Sequence, residues 1–166
     1  IEYVSKKNKP IIISTGMSTI SEINDAVETV RSTGNKNLAL LHCNSAYPST
    51  HAEINLKFMK NLKNLYRIPI GFSDHTTDLL SSKTAITLGA NIIERHFTLD
   101  KKMEGPDHIL SSTKEEMAEL VKFKKNFNNH NIWRKKLSKQ EKKKIHLILG
   151  DGIKKIQPNE YITINS

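Results

Sequence analysis

Cysteine is almost absent. Cys43 is the one thiol in 166 residues, so no disulfide can close within this sequence, and a reducing cytoplasm is its natural setting. Aromatic residues are scarce, at 6%, while the charged fraction of 26% is ordinary. No apolar run exceeds the length of a strand, which excludes a membrane-spanning helix. A leader pattern is missing as well: Ile1 to Lys7 reads as the end of a helix. Gly-x-Gly-x-x-Gly does not follow the first apolar run, which weakens a dinucleotide-binding reading. Nor is the basic charge evenly spread. Residues 1–121 carry fourteen Lys and Arg against fourteen Asp and Glu, whereas residues 122–155 carry twelve against two. The formal net charge of +9 therefore belongs to one segment.

What is present is an alternation. Ile11 to Ser14 and Leu38 to Cys43 are short apolar runs with the look of buried parallel strands. Between them Thr19-x-x-Glu22 forms a capping box, Ile20, Ile23, Val27 and Val30 share a helical stripe, and Thr33-Gly34 ends it. A helix carrying Leu56, Met59, Leu62 and Tyr66 follows the loop at Asn44 to Pro48. Residues 68–74 and 91–97 read as two further strands, joined by a helix over Asp78 to Leu88 that Gly89 closes. Ser112-x-x-Glu115 starts a last helix with Met117, Leu120, Val121 and Phe127 facing inward. The order βαβαβαβα predicts an α/β fold with a parallel sheet and helical crossovers, either an open doubly wound sheet or part of a barrel.

The candidate chemistry lies at the strand ends. Side chains alternate along a strand, so Gly71, Ser73 and His75 share one face, as do Ile92, Glu94 and His96. Each strand thus ends in a histidine with a polar residue two positions earlier. Parallel neighbours lie about 4.8 Å apart, so the two imidazoles can grip one cation at about 2.1 Å each. Ser14-Thr15 and Asn44-Ser45-Tyr47 put polar groups at the carboxyl ends of the other two strands, as the active face of a barrel requires. A complete barrel needs about 250 residues, so four βα units read as part of something longer.

Five stretches in register carry a family resemblance: Lys9 to Ser18, Leu40 to Pro48, Gly71 to Thr76, Ile93 to Asp100 and Gly105 to His108. Together with Leu149 to Lys155 they closely resemble the sialic acid synthases, which include N-acetylneuraminate, legionaminate and pseudaminate synthases. That resemblance implies a TIM-type (β/α)8 barrel followed by an antifreeze-like domain, with the strands seen here being the fifth to eighth. The implied division is residues 1–128 as barrel half, 129–148 as a basic insertion or helix extension, and 149–166 as the start of a linker. It implies condensation of phosphoenolpyruvate with an N-acetylated mannosamine-type hexosamine, giving a nine-carbon 2-keto acid and phosphate. By the same resemblance His75 and His96 hold a divalent cation, Mn²⁺ or Mg²⁺. Ser73 and the loop at Ser45 contact phosphoenolpyruvate, Tyr47 and Asp107 contact the sugar, and Glu94 and His96 are the catalytic candidates.

The family's phosphate-binding lysines and the antifreeze-like domain have no counterpart in this sequence. The chain alone is therefore expected to be inactive, and the full-length protein to be a homodimer. Ser45 stands where many relatives carry Asn or Thr. Arg95 stands where Lys is common, and its parity points it outward, so little is expected of it. His42 and His108 read as structural. Two other readings compete. Nucleic acid would bind the basic run at residues 134–144, but no recognisable motif surrounds it. A metal-dependent hydrolase on a related barrel would need ligands beyond His75 and His96.

Overall fold

The computed structural model of the chain describes residues 1–128, 138–154, 156 and 160. Four strands alternate with helices: α1 (Glu2–Ser5), β1 (Ile11–Ser14), α2 (Ile20–Ser32), β2 (Leu38–Cys43), a 3₁₀ turn (His51–Glu53), α3 (Lys57–Tyr66), β3 (Ile70–Ser73), α4 (Leu80–Thr87), β4 (Ile93–Glu94), α5 (Lys114–Asn128) and α6 (Lys139–Leu149). The strands form one parallel sheet in the order β1-β2-β3-β4. Among the described residues no helix is long and apolar enough to cross a membrane.

Local chemistry sets the boundaries. Thr19 and Glu22 cap α2 reciprocally, with Thr19 N–H donating to Glu22 Oε2 at 2.7 Å and Glu22 N–H to Thr19 Oγ1 at 3.3 Å. Gly34, at φ 80°, turns the chain after α2. The last cap differs from expectation by one residue: Thr113 N–H donates to Glu116 Oε2 at 3.0 Å, so Thr113 and not Ser112 starts α5. Ser112 is wholly buried and engaged elsewhere. Val121 is exposed rather than inward, while Leu120 is buried.

Alternation along the strands divides the sheet into two rows. Leu38, Leu40, Ile70 and Phe72 face the helices and join Ile23, Val27, Val30, Leu56, Leu62 and other buried apolar side chains in one core. Each fully buried Leu, Val or Phe contributes about 1.5–3 kcal/mol. Ile12, Leu41, Cys43, Ser73 and Glu94 take the opposite row. Leu41 and Cys43 in the middle of that row are buried, whereas Ile12 on β1 and Glu94 on β4, the outer strands, are exposed.

The two site-bearing strands are shorter than the sequence predicts. Pairing covers Ile70–Ser73 and Ile93–Glu94, not residues 68–74 and 91–97. Asp74 ends β3 by turning its carboxylate onto Thr76, accepting from its N–H at 2.9 Å and its hydroxyl at 2.7 Å. His75 and His96 therefore sit just beyond the ladder.

The basic stretch is helical where it is described. Ser138 and Glu141 cap α6, Lys142, Lys143 and Lys144 face solvent, and Ile148 is buried in the core. Residues 134–137 of the proposed nucleic-acid segment lie outside the described residues. Residues 150–154, assigned from the sequence to a linker, pack against Asn55: its Nδ2 donates to Ile153 O at 2.8 Å, and its Oδ1 accepts from Gly152 N–H at 2.8 Å.

Candidate active site

Register brings the site together. Ser73 pairs with Glu94 across β3 and β4, and the Ser73 hydroxyl donates to Glu94 Oε1 at 2.7 Å. Two residues further on each chain, the His75 and His96 rings meet at 5.4 Å between centroids and 72° between planes. Tyr47, reaching over from the loop after β2, lies against His75 at 4.1 Å and edge-on to His96 at 5.7 Å. Asp107 Oδ2 stands 3.6 Å from His96 Nδ1. Six of the seven residues singled out from the sequence thus form one cluster at the carboxyl ends of the strands.

Second contacts fix the rings. His75 Nδ1–H donates to Asn44 O at 2.6 Å, which sets the tautomer and turns the Nε2 lone pair to the other side of the ring. Asn44 is itself held by Ala46 N–H, at 2.8 Å, and by the Ser49 hydroxyl, at 3.1 Å. Burial lowers the His75 pKa from its ordinary value against the raising effect of the Asn44 bond, so the ring is neutral at pH 7. Burial, with Cys43, Asp107 and Glu94 nearby, pushes the Tyr47 hydroxyl up.

Ser45 is the seventh and sits one strand away. Its hydroxyl packs against Gly16, where a Cβ would come within 2.0 Å of it. The Cys43 thiol links Ser45 to the cluster. Burial raises the thiol pKa, and hydrogen bonds with the Ser73 and Ser45 hydroxyls oppose that rise. His108 bonds through Nδ1 to Thr98 Oγ1 at 2.7 Å. His42 faces the helices and meets Ile54 O through Nε2 at 2.6 Å.

Three residues that local sequence reasoning passed over reach this end of the sheet or support it. Lys154 Nζ donates to Thr15 O at 2.9 Å beside the end of β1. The Glu160 carboxylate accepts from Ser45 N–H at 2.8 Å and Met17 N–H at 3.2 Å. Arg95, expected to matter little, forms an ion pair with Asp74 in which both side chains are wholly buried. The Gly150-x-Gly152 turn signals a chain reversal, but only the tertiary fold reveals where it delivers Lys154.

The donor set fits a divalent cation with open positions. Two imidazole nitrogens leave most of an octahedral shell for water and substrate oxygens, and nitrogen donors favour Mn²⁺ over Mg²⁺, which prefers oxygen. Among the described residues no group of three or more His, Cys, Asp or Glu side chains gathers to hold an ion, so the pair does not form a closed cage.

Known proteins share this arrangement of chain. The spore coat polysaccharide biosynthesis protein SpsE of Bacillus subtilis superposes with a TM-score of 0.81 at 32% identity, over 96% of this chain and 44% of its own. The N-acetylneuraminic acid synthetase of Leptospira borgpetersenii gives 0.75 at 32% identity, over 87% and 51%. In sequence, the N,N'-diacetyllegionaminic acid synthase of Campylobacter jejuni is 38% identical over 99% of this chain and 45% of that protein. The chain spans less than half the length of the first curated relatives it matches. Four parallel strands with helical crossovers, covering about half of each structural neighbour, make half of a (β/α)8 barrel. The NeuB family model matches residues 1–136, and the chain belongs to the NeuB family.

Proposed function

We propose that this chain carries the cation- and sugar-binding part of a sialic-acid-type synthase. The reaction joins C3 of phosphoenolpyruvate to the aldehyde carbon of an N-acetylated mannosamine-type sugar. Water adds to C2, and the C2–O bond to phosphate breaks to leave a nine-carbon 2-keto acid. The observation that carries this reading is the convergence of His75 and His96 beside the Ser73–Glu94 pair, with Tyr47 and Asp107 at the rim. Several relatives in the family are synthases of legionaminic, N-acetylneuraminic or pseudaminic acids or their phosphates, which supports the reading.

His75 and His96 would hold the divalent cation, which supplies Lewis acidity toward a sugar carbonyl. Tyr47 and Asp107 flank the imidazoles with a hydroxyl and a carboxylate, the groups that orient sugar hydroxyls through hydrogen bonds. The Ser73 hydroxyl, whose proton goes to Glu94, would hold that carboxylate in place at the mouth. Glu94 is the carboxylate that would take a proton from attacking water, since its side chain is exposed at the mouth. Ser45 extends the same polar row toward β1.

Titration of the chain with Mn²⁺, followed by the loss of free-ion electron paramagnetic resonance signal, tests this assignment. One ion should bind per chain, and His75→Ala or His96→Ala should abolish it. Addition of N-acetylmannosamine should alter the bound-ion spectrum in the wild type and not in Asp107→Ala. Binding that survives both histidine substitutions would overturn the assignment.

A further inference from the structure

Behind the two histidines, on the face turned to the helices, one guanidinium touches every segment that carries a candidate ligand. Arg95 lies between Glu94 and His96, and Asp74 between Ser73 and His75, so alternation sends both to the opposite face. Arg95 Nη1 donates to Asp74 Oδ2, and Nη2 donates to Thr76 O at 2.7 Å and to Leu110 O at 3.1 Å. Nε donates to the Ser112 hydroxyl at 2.6 Å. The Ser82 hydroxyl adds a bond to Asp74 Oδ2 at 2.5 Å.

These bonds bracket the site in sequence. Asp74 and Thr76 are the residues immediately before and after His75, so a single side chain holds a carboxylate on one side of that ring and a backbone carbonyl on the other. Leu110 and Ser112 follow Asp107, whose carbonyl accepts from Ser111 N–H at 3.0 Å. Ser112 N–H in turn donates to His96 O at 2.8 Å. A hydrophobic pair of equal volume would pack as stably as a buried ion pair. What the ion pair adds is direction: the N–H donors of a rigid plane reach from the end of β4 to acceptors on two other segments at once, residues 74–76 and 110–112, which an ammonium cannot do.

We propose that Arg95 is the positioning residue of this site: it aligns the β3 end, the β4 end and the loop of Asp107, so that His75 and His96 converge. The consequence for metal affinity rests on the function proposed above; the consequence for ring geometry does not.

The test uses the whole chain, first without metal. The His75 and His96 Hε1 resonances are shifted by the ring currents of each other and of Tyr47, and so they read the spacing of the three rings. Arg95→Lys keeps a charge opposite Asp74 but loses the fork, and Ser112→Ala removes one tie alone. Both should fold and should move these resonances, Arg95→Lys more than Ser112→Ala, with Arg95→Met the largest change if it folds. Val30→Ala, which opens a remote cavity under α2, should lower thermal stability and leave the resonances in place. With Mn²⁺ added, Arg95→Lys should bind about 10-fold more weakly, the usual scale for loss of an outer-shell partner. Unmoved histidine resonances in both Arg95→Lys and Ser112→Ala would overturn the proposal. A wild-type chain that binds no Mn²⁺ would overturn the metal reading instead, and the ring shifts would still decide the role of Arg95.

Discussion

On one face of β3 and β4, Ser73, His75, Glu94 and His96 stand at the mouth of the half-barrel, with Glu94 exposed and the His96 side chain 36% accessible. On the other face of the same strand ends, Asp74 and Arg95 are sealed, each side chain at 0%. Alternation makes this division possible: Ser73 at the mouth is followed by Asp74 on the sealed side, and Glu94 by Arg95. The open row has polar groups with donors and acceptors left for a ligand. The sealed row has polar groups that are spent on each other. Chemistry and rigidity are thus interleaved residue by residue, and the two rows should respond differently to substitution.

Breaking the sealed row should have the largest effect. Asp74→Ala leaves the Arg95 guanidinium enclosed without its anion, which should cost about 3–5 kcal/mol. That is a large share of the roughly 5–15 kcal/mol that holds a domain folded. Urea unfolding followed by circular dichroism measures it. Asp74→Leu combined with Arg95→Met removes both charges and should recover most of the loss. A single Asp74→Ala that costs less than about 1 kcal/mol would erase the contrast between the rows.

The same alternation explains what was legible in the sequence. Period-two parity placed Ser73 and Glu94 on one row correctly, because a strand permits two side-chain directions and no others; His75 and His96, just past the ladder, meet on the same side. It also sent Arg95 to the opposite row correctly. The inference that little follows was wrong, because outward from a barrel mouth means inward to the helical layer, where a charge needs a partner. Asp74, four residues from the start of β3, carried that partner in plain view. Lys154 and Glu160 were not legible for another reason. Their approach to Thr15 and Ser45 depends on α6 docking through Ile148 and on Asn55 clamping the Gly150–Ile153 turn, contacts that span 90 or more residues and have no local period.

A second residue of the helix-facing row sharpens the comparison through pH. His42 and His75 are both 4% exposed, but His42 lies between Phe58 and Phe72 on the helix side of the sheet. Burial pushes its pKa down to about 4, with Lys154 adding to the fall and Ile54 O, Glu160 and Asn55 opposing it; Glu53 lines the same pocket. The folded ring therefore stays neutral where the unfolded one, at an ordinary 6.5, takes a proton. The stability it contributes is complete above about pH 7 and falls as pH drops through 6.5 toward 4, by about 3 kcal/mol in all. His42→Gln keeps an amide donor for Ile54 O and cannot titrate. The difference between wild type and His42→Gln in urea midpoint should grow in favour of the variant below pH 6. A difference independent of pH from 7 to 4 would show that His42 is not held neutral.

The smallest effect belongs to the open row, and it is the one that separates a site from a strut. Glu94 accepts from Ser73 at 2.7 Å, and Ser73 is itself buried. Glu94→Gln keeps an acceptor oxygen at the same reach and removes only the charge, which faces solvent and has little to stabilise in the fold. Its melting should stay within about 0.5 kcal/mol of wild type, as for exposed substitutions generally. Glu94→Ala differs by taking away the carboxylate that accepts from the buried Ser73 hydroxyl, leaving it only the weak Cys43 thiol, a cost of about 1–3 kcal/mol. The gap between the two variants thus measures the hydrogen bond, while Glu94→Gln alone measures the charge. Should Glu94→Gln lose as much stability as Glu94→Ala, the carboxylate would be holding the fold together, and the open row would be structural like the one behind it.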